Sequence, residues 1–344
     1  MMKHLRKFIM PRVEGHSVNH AVLMDQSCLI AIPLSTLMWI GNIAFTILKP
    51  GPDEVIAPTR WLTATLIPLA FAAWGLKKNS LSKSGAVLGF VIGFIITLAS
   101  YCFLMCLIVF FVTSSKATKF RARVKRKFEE DFKEGGQRNW IQVLCNGGMA
   151  AQLALLYVLD SGTGERPVNF TSDYRASWLA MGVVGSFACA NADTWASEFG
   201  TVLTSKDPWL ITSGKRVPKG VNGGVSLVGL LVSIIGGLLI GCGFYICVIY
   251  TAEAKSLLEA PPQWPVIPIS AVAGFFGSLI DSIFGATLQY SGIDKKSGIV
   301  VEHPGPNVIY ICGRRILDNH SVNLLSTIII GLLTPRLANA VWPY

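Results

Sequence analysis

Long apolar runs separated by short polar loops recur along nearly the whole of this chain, and they leave few folds open to it. A helical crossing of a bilayer needs about 20 mainly apolar residues. Runs of that kind lie at roughly 28–48, 60–76, 85–113, 140–160, 176–192, 222–250, 265–290 and 320–342. In hydrocarbon each backbone N–H and C=O must find its partner within protein, so such runs fold as helices. The charge content agrees. Only 15% of the 344 residues are charged and mean hydropathy is +0.50, whereas soluble domains carry about 25% charged residues. The expected fold is all-α, a polytopic helical membrane protein of about 7–9 membrane elements. It comprises a basic N-terminal segment, 1–27, and a single helical transmembrane domain, 28–344. The 85–113 stretch is too long for one upright helix and too short for two full spans, so it reads as a broken or re-entrant element. No cleavable signal peptide is expected, because the first apolar run is a full span followed by more spans. The eight cysteines include no CxxC pair and lie mostly in apolar segments, where they read as small buried hydrophobes.

The basic residues sort by side. If 85–113 returns to the side from which it starts, 24 of the 30 Lys and Arg fall in segments 1–27, 77–84, 114–139, 193–221 and 291–319, and the other 6 on the opposite side. That is the positive-inside pattern. It places the first set in the cytosol, with the N-terminus cytosolic and the C-terminus lumenal, and the endoplasmic reticulum as the default membrane. The formal charge of +10 therefore reflects topology and contact with anionic lipid, not nucleic-acid binding. The sequon Asn169-Phe-Thr171 falls on the lumenal side. The run Lys116 to Lys127 reads either as a juxtamembrane helix on anionic lipid or as an electropositive funnel for phosphorylated substrates, to which Lys116 would belong.

A faint internal repetition is present. Lys83, Gly85, Gly89 and Gly93 open one apolar element, and Lys219, Gly223, Gly224, Ser226 and Gly229 open another. Weak repeats with a site at their interface are common in membrane proteins, and shared Gly and Ala content gives the same pattern without duplication.

The polar residues that stand out are acids near membrane depth. Asp193 and Glu198 end an apolar segment, in Ala190-Asn-Ala-Asp-Thr-Trp-Ala-Ser-Glu-Phe-Gly200. Asp281 lies within another, in Gly274-Phe-Phe-Gly-Ser-Leu-Ile-Asp-Ser-Ile-Phe-Gly285. Such groups usually face a cavity, an ion or a partner. On a regular helix Asp193 and Glu198 stand roughly 140° apart. Either the helix unwinds there, or one acid binds a metal while the other orients a neighbour. Gly274, Ser278, Asp281, Gly285 and Gln289 share one stripe whose small residues admit a neighbouring helix, so Asp281 is expected to point into the bundle. The loop Thr212-Ser-Gly-Lys-Arg-Val-Pro-Lys-Gly-Val-Asn-Gly-Gly-Val-Ser226 leads straight into a helix. Its glycines and the helix N-terminus suit an anion, with Lys215 and Lys219 adding charge, although no GxxxxGK[ST] pattern occurs. Arg314 and Arg315 read either as a topology signal or as a phosphate clamp. His303 and His320 have no second His or Cys at ligand spacing, so a zinc site is not expected. Acids for Mg²⁺ beside basic groups for phosphates leave phosphoryl chemistry or transport as the open classes.

At Asn191–Gly200, Thr212–Ser226 and Gly277–Gln289, with Thr113–Lys119 and Asn319–Asn323, the chain resembles the phytyl-phosphate kinase family of integral membrane proteins, and its animal transmembrane branch most. The likeness covers roughly residues 60–340. It implies CTP-dependent conversion of a prenyl monophosphate to its diphosphate, assisted by Mg²⁺ at the cytosolic face. It also implies roles for residues: Asp193 and Glu198 on metal and nucleotide phosphate, Asp281 supporting the metal or the acceptor, and Lys215, Lys219, Gly223 and Gly224 holding phosphates. Asn191, Asn222, Ser226, Lys116 and Arg314 complete the expected nucleotide and phosphate set. The partners expected are a prenyl-phosphate lipid, a nucleotide and membrane lipids, with no nucleic acid. A transporter or scramblase of an anionic lipid, and a CDP-lipid-forming cytidylyltransferase, are the alternatives. Acids and lysines gathered at one mouth favour a kinase, and a polar path through the bundle favours a transporter.

Overall fold

The computed structural model describes residues 20–48, 55–120 and 136–343, with side chains from residue 32 onward. Among these residues the chain forms ten helices: α1 His20–Leu48, α2 Pro58–Lys77, α3 Lys83–Ala99, α4 Tyr101–Lys119, α5 Trp140–Ser161, α6 Tyr174–Val202, α7 Leu227–Thr251, α8 Ala254–Glu259, α9 Val266–Leu288 and α10 Asn319–Val341. Five of them (α4, α5, α7, α9 and α10) are long and apolar enough to cross a membrane, and α3 and the Ile32–Leu48 part of α1 are shorter apolar helices. The protein is a multi-pass helical membrane protein. The N-terminal residues 1–19 and most of the basic run, 121–135, lie outside the described residues.

The 85–113 stretch is a helical hairpin, longer at both ends than the sequence suggests. Ser100 is the break. It is extended, its N–H closes α3 on Ile96 O at 3.1 Å, and its hydroxyl accepts from Cys102 N to open α4. The start and the finish of the hairpin lie together, since Lys119 Nζ donates to Lys78 O and, at 3.0 Å, to Ser80 Oγ. The hairpin thus returns to its starting side. Its tip meets the loop after α5 at the far end of the bundle. Gly164 N donates to Ala99 O at 3.0 Å, and Tyr101 N to Glu165 Oε1 at 2.8 Å. Glu165 also takes a bidentate pair from Arg60 at 2.9 and 2.8 Å, and the guanidinium lies 4.1 Å from the Tyr101 ring centre. Both charged side chains are nearly enclosed, at 12% and 10% exposure. Breaking a buried pair strands the other charge. Glu165→Gln is accordingly expected to cost about 3 kcal/mol, read as a lower unfolding midpoint in detergent. An unchanged midpoint would remove this clamp from the account of stability.

α6 is the central helix. Nearly every residue from Ala176 to Ala192 is buried, and its Ala, Gly and Ser content follows from being enclosed by helices instead of lipid. A methyl added at Gly277 of α9 would stand 2.6 Å from Cys189 Sγ, one at Gly274 would stand 2.8 Å from Gly237 Cα, and one at Gly236 of α7 would stand 3.0 Å from Ala192 Cα. The small-residue stripe of α9 therefore seats α9 against α6 and α7, as its spacing leads one to expect. Around this contact Phe103, Tyr157, Met181, Phe187 and Phe244 form a fully buried apolar core.

At the end of the bundle that carries the 77–84 turn, two loops fold into small antiparallel sheets that the sequence patterning does not signal. β1 Trp209–Leu210 pairs with β2 Gly224–Val225, and β3 Ser291–Asp294 lies between β4 Val300–Val301 and β5 Val308–Cys312. Leu210, Val217, Val221, Val300 and Cys312 bury a small core of their own against Ala286 of α9. The all-α description holds for the membrane part, and these sheets cap one mouth of it. The α3–α4–α5 and α7–α9–α10 series run through the bundle in the same order of directions. Ser82 and Ser226 cap α3 and α7 alike, each accepting from the N–H three residues on, at Gly85 and Gly229. This agrees with the faint repetition.

Candidate functional site

A polar cavity of about 730 Å³ opens at the capped end, between α5, α6, α7, α9, α10 and the 203–226 loop. α6 brings Asp193 and Glu198 to it. At about 1.5 Å per residue, Asp193 stands some 28 Å from the start of α6, close to one hydrocarbon thickness, and Glu198 lies a turn beyond. The helix does not unwind. Thr194 and Thr201 hydroxyls bond back to Ala190 O and Ser197 O at 2.8 and 2.9 Å, and helical structure continues to Val202. The two carboxylates therefore address different parts of the cavity. Among the described residues, no three His, Cys, Asp or Glu stand close enough to share one ion. Both acids are half-buried.

α9 brings Asp281 across from Asp193, within range of its charge. Asp281 is held by α10. Its Oδ2 accepts from Ser326 Oγ at 3.2 Å and, with the Asn323 amide turned to donate, from Asn323 at 3.2 Å. Two turns further along α9, Gln289 is only 3% exposed and lines the cavity, and its Nε2 has no protein partner among the described residues. A buried donor left unpaired costs about 1–3 kcal/mol, and its Nε2 is closed off from the open part of the cavity.

Of the other residues singled out in the sequence, Lys219, Asn222, Gly223, Gly224 and Ser226 line the cavity. Lys219 Nζ reaches Thr201 O at 3.0 Å and also Thr204 O, so it closes the carbonyl end of α6, where a cation suits the helix dipole. Ser226 caps α7 by accepting from Gly229 N at 3.0 Å. The α7 N-terminus, by its Val225, Ser226 and Gly229, faces the cavity. Gly223 is left-handed, at φ +76°, and a methyl there would stand 2.4 Å from Ala286 Cβ. Only glycine lets this turn lie flat on α9.

Four expected residues are not in the cavity lining. Asn191 is fully buried between three helices, accepting from Thr113 Oγ1 at 2.9 Å and donating to Gly236 O at 2.8 Å. It ties α4, α6 and α7 together beneath the site. Lys215, Lys116 and Arg314 are exposed and stand outside the lining.

The structure adds Arg138, Gln142 and Asn146. The backbone of Arg138 is fixed to the 77–84 turn, with Ser82 N donating to Arg138 O at 2.9 Å and Arg138 N to Ser80 O at 3.1 Å. Its guanidinium donates to Ser115 Oγ at 3.0 Å. Burial pulls its pKa down to about 10, with Glu198 opposing, so it stays cationic at neutral pH. In the sequence it is one of nine basic residues in a loop. The available signal was Gln142 and Asn146, two amides one turn apart near the start of a mainly apolar span. His320, Asn319 and Asp318 also line the mouth, Asp318 capping α10 through Ser321 N at 2.8 Å. The Ser321 hydroxyl, and then its N–H, hold the Asp318 carboxyl below the usual range. The lining carries five acids (Asp193, Glu198, Asp281, Glu302 and Asp318) against Arg138 and Lys219. Such a cavity repels a bare phosphate and attracts a divalent cation.

Fold and site together define a polytopic membrane protein with an acidic pocket at one mouth. The chain belongs to a family described as integral membrane protein DUF92, whose model matches residues 66–331. It is 43% identical over 275 residues to Protein PGR of Arabidopsis thaliana, covering 80% of this chain and 95% of that one. It is 25% identical over 282 residues to the uncharacterized membrane protein MJ0933 of Methanocaldococcus jannaschii, covering 82% and 95%. To the chloroplastic Protein VTE6 of Arabidopsis thaliana it is 27% identical over 238 residues, covering 68% and 64%. No solved structure matches the chain.

Proposed function

We propose that the protein is a prenyl-phosphate kinase, transferring the γ-phosphoryl group of CTP to a prenyl monophosphate at the cytosolic face of the endoplasmic reticulum membrane. The observation that carries this reading is the acidic mouth, where Asp193, Glu198, Asp281, Glu302 and Asp318 gather with Arg138 and Lys219 at one end of the bundle. Below that mouth the bundle is closed by the apolar core around Phe103, Phe187 and Phe244. A polar path, as a transporter needs, does not continue through it among the described residues. The motif resemblance to phytyl-phosphate kinases supplies the donor and acceptor classes, and the 27% identity to Protein VTE6 goes in the same direction.

In this reading a phosphate oxygen of the lipid attacks the γ-phosphorus. The bond from that phosphorus to the β–γ bridging oxygen breaks, and CDP leaves. Asp193 and Asp281, facing each other, would hold Mg²⁺ together with the phosphates, a donor set that fits an ion usually bound by one or two carboxylates plus substrate oxygens. Mg²⁺ would neutralise phosphate charge. The chain's own residues position the reactants. Arg138 balances the acceptor phosphate, and the Ser226-capped start of α7 faces the nucleotide with the positive end of its dipole. The charge of Glu198 favours the cationic form of Arg138, and Ser115 fixes its guanidinium. Lys219 holds the end of α6 in place.

The test is turnover by purified protein in detergent, with Mg²⁺, each common nucleoside triphosphate and a series of prenyl monophosphates. Prenyl diphosphate with CDP is the expected product pair. Pyrophosphate with a CDP-lipid would replace the kinase by a cytidylyltransferase. No turnover with any pair, by protein shown to be folded, would overturn the enzyme reading in favour of lipid transport.

A further inference from the structure

Beside the acidic mouth lies a second, narrow hollow, bounded by α2, α3 and α5 on one wall and by α4 on the other. The two spaces share Arg138, Gln142 and Asn146. Beyond those three heads the slot is wholly apolar, with Phe71, Gly89, Ile92, Leu104 and Phe110 among its walls. Leu104 and Phe111 both line it, so it runs about 10 Å along the helix axes. The slot is small, about 80 Å³. Phe71, Leu107, Ile108 and Phe111 are half-buried at its sides. The Arg138 guanidinium lies 5.8 Å from the Phe110 ring centre, which sets the cation on the seam between polar and apolar space.

We propose that this slot is the tail site for the isoprenoid chain of the phosphorylated lipid, with the lipid's phosphate beside Arg138 and its first isoprene units between Gly89, Ile92 and Leu104. The inference rests on the kinase reading for the lipid's identity, and on the continuity of the two cavities for its place. A cation at the head of an apolar slot fits one anionic group joined directly to a hydrocarbon chain. A narrow single slot fits one chain rather than the two of a bilayer phospholipid. Gly89 is the position that keeps the slot open, because a methyl there meets only Leu81 Cδ1, at 3.9 Å. A larger side chain enters the slot without a backbone clash.

The probe is a geranylgeranyl monophosphate carrying a diazirine on its second isoprene unit from the phosphate, photolysed with the full-length protein in detergent. Label is expected on α2–α5 residues of the slot, competed by unlabelled geranylgeranyl monophosphate and not by equimolar dioleoyl phosphatidic acid. Gly89→Leu, and Leu107→Trp from the opposite wall, are each expected to reduce that label at least about tenfold and to raise KM for geranylgeranyl over dimethylallyl monophosphate. Label elsewhere on folded protein, equal competition by phosphatidic acid, or unchanged labelling of both variants would overturn the proposal. Slot labelling without any diphosphate formation would leave the tail site standing and sink the kinase.

Discussion

Asp193→Asn is expected to lower kcat for prenyl diphosphate formation about a hundred- to thousandfold, the loss typical when one electrostatic group leaves a preorganised site. The substitution keeps the shape of a half-buried side chain on an intact helix and removes only its charge. The same change relieves repulsion, because the Asp193 charge acts on Asp281 of α9 and is acted on by Glu198 of its own helix. The variant is thus expected to unfold at the same temperature as the parent or above it, a trade of stability against activity common at functional sites. Both readouts are needed. Lost turnover with a retained or raised midpoint places the charge in the chemistry. Lost turnover with a lowered midpoint makes the residue structural, and full turnover removes it from the site. If the charge serves a cation, raising Mg²⁺ restores part of the rate.

Gly223→Ala is expected to be strongly destabilising. The residue is left-handed, which costs an L-residue about 1–2 kcal/mol. The added carbon would also stand 2.4 Å from Ala286 Cβ and 2.6 Å from Ser282 O, and overpacking of that kind adds about 1–3 kcal/mol. Gly214 is the control. It is left-handed too, at φ +66°, but a methyl there meets nothing within 4 Å. Gly214→Ala should show the conformational cost alone. The difference between the two midpoints in detergent then isolates the packing of the Asn222–Gly224 turn on α9. Equal midpoints would mean that this turn does not bear on α9 in solution.

What the sequence made legible was whatever repeats with the helix period or sits alone in an apolar run. The stripe of Gly274, Ser278, Asp281 and Gly285 needs only a spacing of three or four residues to be read as a packed face, and α9 packs by it on α6 and α7. Asp193 and Asp281 stand out because a carboxylate among apolar residues has few bland explanations. The sequence reads 85–113 as broken or re-entrant, but the place of the break was harder to see. The break depends on one serine whose neighbours' polar groups are satisfied by Gly164 and Glu165, more than sixty residues away. Charge identity misled where distance matters. Lys215 and Arg314 are near the motifs in sequence and outside the cavity in space, while Arg138, in a run where every basic residue looks alike, is fixed at its edge by backbone bonds. Asn191 belongs to the acidic motif by position, yet its amide is used up by Thr113 and Gly236. The sheets escaped notice because strands of two to five residues leave no readable alternation.

The clamp of Arg60, Glu165 and Tyr101 at the far end has one more effect. It fastens the tip of the α3–α4 hairpin. The other end of α4 is tied by Lys119 to the 77–84 turn, by Ser115 to Arg138 and by Thr113 to Asn191. The helix that walls the slot is thus anchored at both ends, so an amphiphile arriving sideways from the surrounding leaflet meets a wall already in place, and the cost of ordering it falls on folding and not on binding.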